Sequence, residues 1–132
     1  MRQIFLMKAV VLAAGLALLP GGARSDEAAP ASGQIDIQQV GDGFSVTGLV
    51  TGHAQTDVQA ELTIAKRDAA GQVSSTQGRA LTLEPGVTQT LAQSTLSLDP
   101  GGQIEAVLTL SRDGVTFERV TGAVRDGRIE TQ

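Results

Sequence analysis

The sequence predicts an all-β sandwich, and three observations support this fold class. Hydrophobic and polar residues alternate with a period of two in several segments, as they do in strands that bury one face. Groups of Gly, Pro and Asp interrupt these segments roughly every 8 to 12 residues, which is the spacing of turns in β-sandwiches. After residue 23, no segment has the 3.6-residue periodicity of an amphipathic helix.

The chain begins with the features of a secretory signal peptide. Positive charges precede the uncharged apolar run of residues 9–19, and residues 20–23 then end that run with a proline and small residues. Cleavage is expected after Ala23, or alternatively after Ser25. A membrane anchor is the competing interpretation, but a spanning helix needs about 20 apolar residues and this run is shorter. The predicted location is therefore the periplasm, reached through a cleaved signal.

The composition divides the chain into four parts. Residues 1–23 are the predicted signal peptide, and residues 24–32, which are small, acidic and contain a proline, are expected to form a flexible linker. Residues 33–125 have one uniform pattern and are predicted to form a single domain. Residues 126–132 are polar and are expected to be a frayed tail.

The first half of the domain predicts three strands. Isoleucines alternate with polar residues in residues 35–38, and the turn residues Gly41-Asp42-Gly43 separate them from a second alternating segment, residues 44–51. The alternation of residues 58–65 is the most regular of the chain, with Val, Ala, Leu and Ile on one face. Residues 68–71, Asp-Ala-Ala-Gly, end this third strand in a turn.

A polar segment and an irregular strand come next. Residues 73–79 predict a short edge strand, and residues 84–86, Glu-Pro-Gly, provide the next turn. Residues 89–98 predict a strand whose hydrophobic phase changes between Leu91 and Leu96. Such a change of phase indicates a β-bulge or a bend.

The last strands are marked by clear turn signals. Residues 99–102, Asp-Pro-Gly-Gly, form a turn before residues 104–110, which are a second segment of clear alternation. Asp113-Gly114 is a two-residue hairpin signal that leads into residues 115–117. The chain thus has about seven short strands, as immunoglobulin-like sandwiches do.

Composition excludes several classes of function. The chain has 10 basic and 14 acidic residues, and a mature chain starting at Asp26 keeps seven basic residues and all 14 acids, a net charge of −7. Such a domain is a poor candidate for binding nucleic acid or an anionic membrane. It has no Cys and no Trp or Tyr, so its core must be built mainly from Val, Ile, Leu and Ala.

Residues for catalysis or metal binding are scarce. His53 is the single histidine, it lies in a predicted loop, and both methionines belong to the signal peptide. Carriers of soft metals need clusters of His, Met or Cys, so no metal or cofactor is expected. Glu61, Glu105 and Glu118 lie at solvent-facing positions of strands, where carboxylates usually only hydrate the surface. We therefore expect the protein not to be an enzyme.

Three polar and alternating segments give the chain a resemblance to a known family. They are residues 74–78, residues 94–98 followed by a Gly-rich turn, and residues 106–110 ahead of Asp113-Gly114. In their order and spacing these segments resemble the curli-assembly chaperone family, CsgC and especially the alphaproteobacterial CsgH branch. The resemblance extends from Gly33 to about Val124.

The resemblance implies both a fold and a function. The fold would be a seven-stranded immunoglobulin-like β-sandwich. The function would be that of a periplasmic chaperone that prevents premature amyloid formation by curli-type fibre subunits, with an unfolded subunit as the transient partner and a monomer as the expected state. The chain departs from the family in having no Cys-x-Cys pair, which excludes thiol chemistry, and in having Arg79 where a second glycine is expected.

The predicted edge strand is the candidate site for the client. A growing amyloid recruits strands at its unpaired edge, and a soluble sheet could block that edge by transient strand pairing. The candidate residues are Gln72, Val73, Ser74, Ser75, Thr76 and Gln77. Three alternatives remain open: a polar edge that only prevents self-aggregation, a client bound by charge, and an immunoglobulin-like adhesion or scaffold module of the envelope.

Overall fold

Residues 29–131 are described by a computed structural model, and the predicted signal peptide, residues 1–23, lies outside them. The described part of the chain consists of eight β-strands joined by turns. They are β1 (Ala31–Val40), β2 (Gly43–Gly52), β3 (Thr56–Asp68), β4 (Gly71–Leu83), β5 (Thr88–Ser97), β6 (Gln103–Arg112), β7 (Val115–Arg125) and β8 (Arg128–Thr131).

The strands form two antiparallel sheets that pack face to face. One sheet has three strands in the order β1-β2-β5, and the other has five in the order β4-β3-β6-β7-β8. The predicted all-β sandwich is confirmed, although the described residues form eight strands instead of seven. That its topology is immunoglobulin-like stays a prediction.

The hydrophobic core lies between the regular faces of β3 and β6 and the narrower sheet. Each of these two strands turns four hydrophobic residues inward, and every one of them is at most 2% exposed. They are Val58, Ala60, Leu62 and Ile64 on β3 and Ile104, Ala106, Leu108 and Leu110 on β6. The period-two alternation therefore identified the buried faces of both strands correctly.

The irregularity predicted in residues 89–98 is a β-bulge in β5. Gly48 pairs with Ala92, whereas the next residue of β2, Leu49, pairs with Thr90, so Leu91 is the extra residue. Leu91 and Ala92 are both buried, because the extra residue of the bulge interrupts the alternation of the strand. The bulge thus accounts for the change of hydrophobic phase.

The predicted boundaries of the domain differ from those of the structure. Strand β1 begins at Ala31, two residues inside the predicted linker of residues 24–32. The predicted polar tail, residues 126–132, contains β8, which pairs with the end of β7 after a two-residue turn. The turn residues Asp126 and Gly127 have φ values of 53° and 75°, close to those of the Asp113-Gly114 hairpin. All four residues of β8 are exposed, so no hydrophobic alternation marks this strand in the sequence.

Asp68 connects two turns at one end of the sandwich. Its carboxylate accepts hydrogen bonds from the backbone N–H of Ala70 at 2.9 Å and of Asp99 at 3.3 Å. The ammonium group of Lys66 lies 3.6 Å away. The hydrogen bond from Asp99 is the main reason that the pKa of Asp68 lies below its usual value; Ala70 and Lys66 lower it further, and desolvation opposes them.

We expect Asp68→Asn to lower the urea midpoint of unfolding at pH 7 and to have a much smaller effect at pH 3. A carboxyl with a depressed folded-state pKa stabilises the fold above its unfolded pKa, about 4, and loses this effect as the pH falls through the folded value. Asp57→Asn, at an exposed carboxylate of the same strand, is the control. An equal loss from Asp68→Asn at both pH values would contradict this account.

Candidate protein-binding edge

The candidate residues Gln72–Gln77 lie on β4, which is an edge strand of the five-stranded sheet. One side of β4 pairs with β3 in unbroken register over the whole strand, from Gly71 opposite Asp68 to Leu83 opposite Thr56. The strand is longer than predicted: it has 13 residues, because it continues through the buried Leu81 and Leu83. The segment with no buried residue is only its first part.

Ten consecutive residues of β4, Gly71–Ala80, are exposed. The difference in width between the two sheets explains this exposure, because three strands cannot cover the inner face of five. Val73 belongs to that inner face, since it pairs with Lys66 in register with the buried Ile64, yet it is 55% exposed. This part of β4 therefore offers solvent both its faces and its unpaired backbone edge.

The remaining three edge strands among residues 29–131 are better protected. In β1, the backbone N–H of Gly33 donates to Glu118 Oε2 at 3.1 Å. In β5, the carbonyl of Thr90 accepts from Arg79 Nη2 at 2.6 Å, and that of Ser97 accepts from Lys66 Nζ at 3.0 Å. Strand β8 has four residues and is too short to template a long partner.

By contrast, no side chain among the described residues hydrogen-bonds to the backbone of residues 71–80. A strand adds to an edge by hydrogen bonding to a row of unpaired backbone N–H and C=O groups. Edges whose backbone groups already bind side chains offer fewer of them. Within the described range, β4 is therefore the edge most open to strand addition.

Basic residues are confined to the sheet that contains β4. All seven Lys and Arg residues of the described range lie on strands of the five-stranded sheet, and β1, β2 and β5 contain none. At the start of β4, Gln72, Val73 and Ser74 border a groove that is also lined by three basic residues and by Glu105. The basic residues are Lys66, Arg67 and Arg125.

The basic groove is partly neutralised. Arg125 lies 2.7 Å from a carboxylate oxygen of Glu130 and 3.7 Å from one of Glu105, and all three side chains are about half exposed. Ion pairs this exposed contribute little to stability and are screened by salt. Lys66 pairs with Asp68, and within residues 29–131 Arg67 has no carboxylate within ion-pair distance.

The sequence did not identify β5 as an edge strand or Arg79 as a contact to it. Edge strands usually contain charged residues that prevent unwanted pairing, and residues 85–98 contain none, so nothing in the sequence marked β5 as an edge. The two other predicted features can be placed directly. His53 is exposed and its Nε2 lies 3.1 Å from Ser32 Oγ. Residues 29–131 contain no group of three His, Cys, Asp or Glu residues that could hold a metal ion.

Among the same residues, no helix is long and apolar enough to cross a membrane. No protein-family model matches the chain, and no curated protein sequence matches it either. Solved structures do match. The solution structure of CsgH from R. palustris has 18% sequence identity and a TM-score of 0.57, over 74% of this chain and 93% of CsgH.

The E. coli curli protein CsgC is also similar. It has 18% sequence identity and a TM-score of 0.62, over 69% of this chain and 96% of CsgC. The chain has the fold of these two proteins. The resemblance to CsgC and CsgH that the sequence predicts is thus confirmed at the level of the fold.

Proposed function

We propose that the protein is a periplasmic chaperone that binds curli-type amyloid subunits during export and delays their assembly into fibres. The observation that carries this proposal is the open edge of β4, on a fold shared with a curli protein. The client is an unfolded subunit, bound transiently, and the site is residues Gln72–Gln77.

The proposed mechanism is transient strand addition. A client segment pairs with the free edge of β4 through main-chain hydrogen bonds, which do not require a specific client sequence. The exposed Ser, Thr and Gln side chains of β4 add hydrogen bonds on both faces. While the segment is held there, it cannot join the edge of a growing cross-β fibre.

The basic groove supports a second mechanism, in which charge attracts the client. The groove adjoins Gln72, Val73 and Ser74, so an acidic client segment drawn to it would arrive beside the same edge. Such attraction would weaken steeply between low and high salt, because the groove is open to solvent. Main-chain pairing would change little under the same conditions.

The first test is a thioflavin-T time course of a curli-type major subunit with the mature protein added well below equimolar ratio. We expect a much longer lag phase. We also expect one of the two variants Val73→Pro and Thr76→Pro to shorten the lag again while the fold survives. Successive residues of an edge strand point their N–H groups alternately inward and outward, so these two positions have opposite orientations.

The comparison between the two proline variants is internally controlled. The variant that removes an outward N–H should keep the wild-type urea midpoint and lose inhibition, whereas the other should be destabilised. A folded outward variant that inhibits as well as the wild type would exclude strand pairing at this edge. An unchanged lag with the wild-type protein, shown to be folded, would refute the chaperone function itself.

A further inference from the structure

The edges of β4 and β5 lie side by side on one flank of the sandwich. Gln77 Nε2 donates to Ser94 Oγ at 3.2 Å, and Arg79 Nη2 donates to the Thr90 carbonyl at 2.6 Å. Gln89 Nε2 in turn donates to the Thr82 carbonyl at 2.8 Å. Side chains of one edge therefore reach the other over residues 77–82 of β4 and residues 89–94 of β5.

These contacts also fix the relative direction of the two strands. As the residue number rises from Gln77 to Thr82 on β4, the contacting residues of β5 fall from Ser94 to Gln89. The two edges therefore run in opposite directions. Two partner strands that add to them in the same manner, both antiparallel or both parallel, must also run in opposite directions.

The seam between the edges has a mostly polar lining that includes the basic side chains of Arg79 and Lys66. Val73, Ser75 and Gln77 face it from β4, because they pair in register with Lys66 and with the inward-facing Ile64 and Leu62. Ser94 and Leu96 face it from β5, opposite the buried Val46 and Phe44. Packed sheets lie about 10 Å apart, so strands added to the two edges would face each other across one layer of side chains.

From this geometry we propose that the flank binds a strand–turn–strand segment, with one strand added to β4 and the other to β5, where the added strand takes the place of the Arg79 and Lys66 side chains on the Thr90 and Ser97 carbonyls. A chain that folds back through an arch of several residues, instead of a two-residue hairpin turn, supplies two strands of opposite direction about 10 Å apart that face each other through their side chains. This inference rests on the proposed function and names the form of client that the site accepts.

The test compares two synthetic peptides from a curli-type subunit by calorimetric titration of the mature protein. One peptide is a single strand, and the other joins two such strands by a Gly-containing linker of several residues that can span about 10 Å. We expect the two-strand peptide to bind about 10²-fold more tightly, because its second strand binds intramolecularly. The N–H groups of Gln93 and Ser94 on β5 point in opposite directions, one toward β2 and one toward solvent. Of the variants Gln93→Pro and Ser94→Pro, the one that keeps the wild-type urea midpoint has lost the solvent-facing N–H, and this variant tests the inference.

The informative β5 variant should reduce the affinity for the two-strand peptide to that for the single strand and leave the single strand's affinity unchanged. The folded β4 proline variant should instead weaken both peptides. Equal affinity of both peptides for the wild type would overturn the two-edge inference and leave strand addition at β4 standing. If neither peptide binds, strand addition itself is wrong.

Discussion

Leu108→Ala should cost about 2–5 kcal/mol of folding free energy, the range for emptying a core position that cannot close up. Leu108 is fully buried on β6, in the middle of the five-stranded sheet. Strand β1 crosses close above it: a Cβ placed on Gly33 would lie 2.7 Å from Leu108 Cδ2. With strands fixed on both sides, the backbone has little freedom to collapse into the cavity.

The loss should appear as a fall in melting temperature of roughly 10–25 °C. Far-UV circular dichroism is the suitable signal, because the chain has no Trp or Tyr for fluorescence. Val107→Ala removes methyl groups from the neighbouring residue, which is half-buried on the outer face, and should cost under about 1 kcal/mol. If the two substitutions lowered the melting temperature equally, the sandwich would not have its core between the sheets.

Gly43→Ala should also destabilise the fold, by about 1–3 kcal/mol, because the new methyl group would overlap backbone atoms. A Cβ added at Gly43 would collide with the Leu96 carbonyl group and lie 3.1 Å from Ser97 Cα. Both belong to the end of β5, which must move away from β2 to make room. Amide exchange should therefore accelerate first in the last residues of β5.

Gly48→Ala is the matched control on the same strand. There the nearest atom to the added methyl is Leu62 Cδ2 at 3.3 Å, so a side chain must move by a few tenths of an ångström and no backbone atom is displaced. This substitution should change stability by under about 1 kcal/mol. A Gly43→Ala variant as stable as Gly48→Ala would show that β2 and β5 are not in the close register observed.

The parts of the fold that the sequence could predict are those with a local cause. The alternation in β3 and β6 arises from burial of one face, and Asp113-Gly114 makes a hairpin because both residues can adopt positive φ. The same dipeptide at Asp126-Gly127 does not by itself predict a hairpin, because the strand after it has no buried residue and so no hydrophobic alternation. Local sequence patterns thus predict strands and hairpins where the strand buries one face.

The arrangement of strands in two sheets has no such local cause. Strands β2 and β3 are consecutive, yet β2 pairs with β5 and β3 pairs with β6. The sequences of β2 and β3 do not indicate which strand each will pair with. For the candidate site, the polar residues 73–79 correctly predicted an edge strand. That β5 is the adjacent edge, reached by Arg79 and Gln77, depends on the packing of the two sheets and could not be anticipated.

The strand order of the five-stranded sheet also determines which flank is exposed when the protein is immobilised through the end of β8. Strand β8 is the outermost strand on the side opposite to β4, four strand spacings away, or about 19 Å across the sheet. A tether attached after Thr131 would therefore leave from the far flank. Molecules captured on a sensor surface through that end would keep the flank of β4 and β5 turned toward the solution.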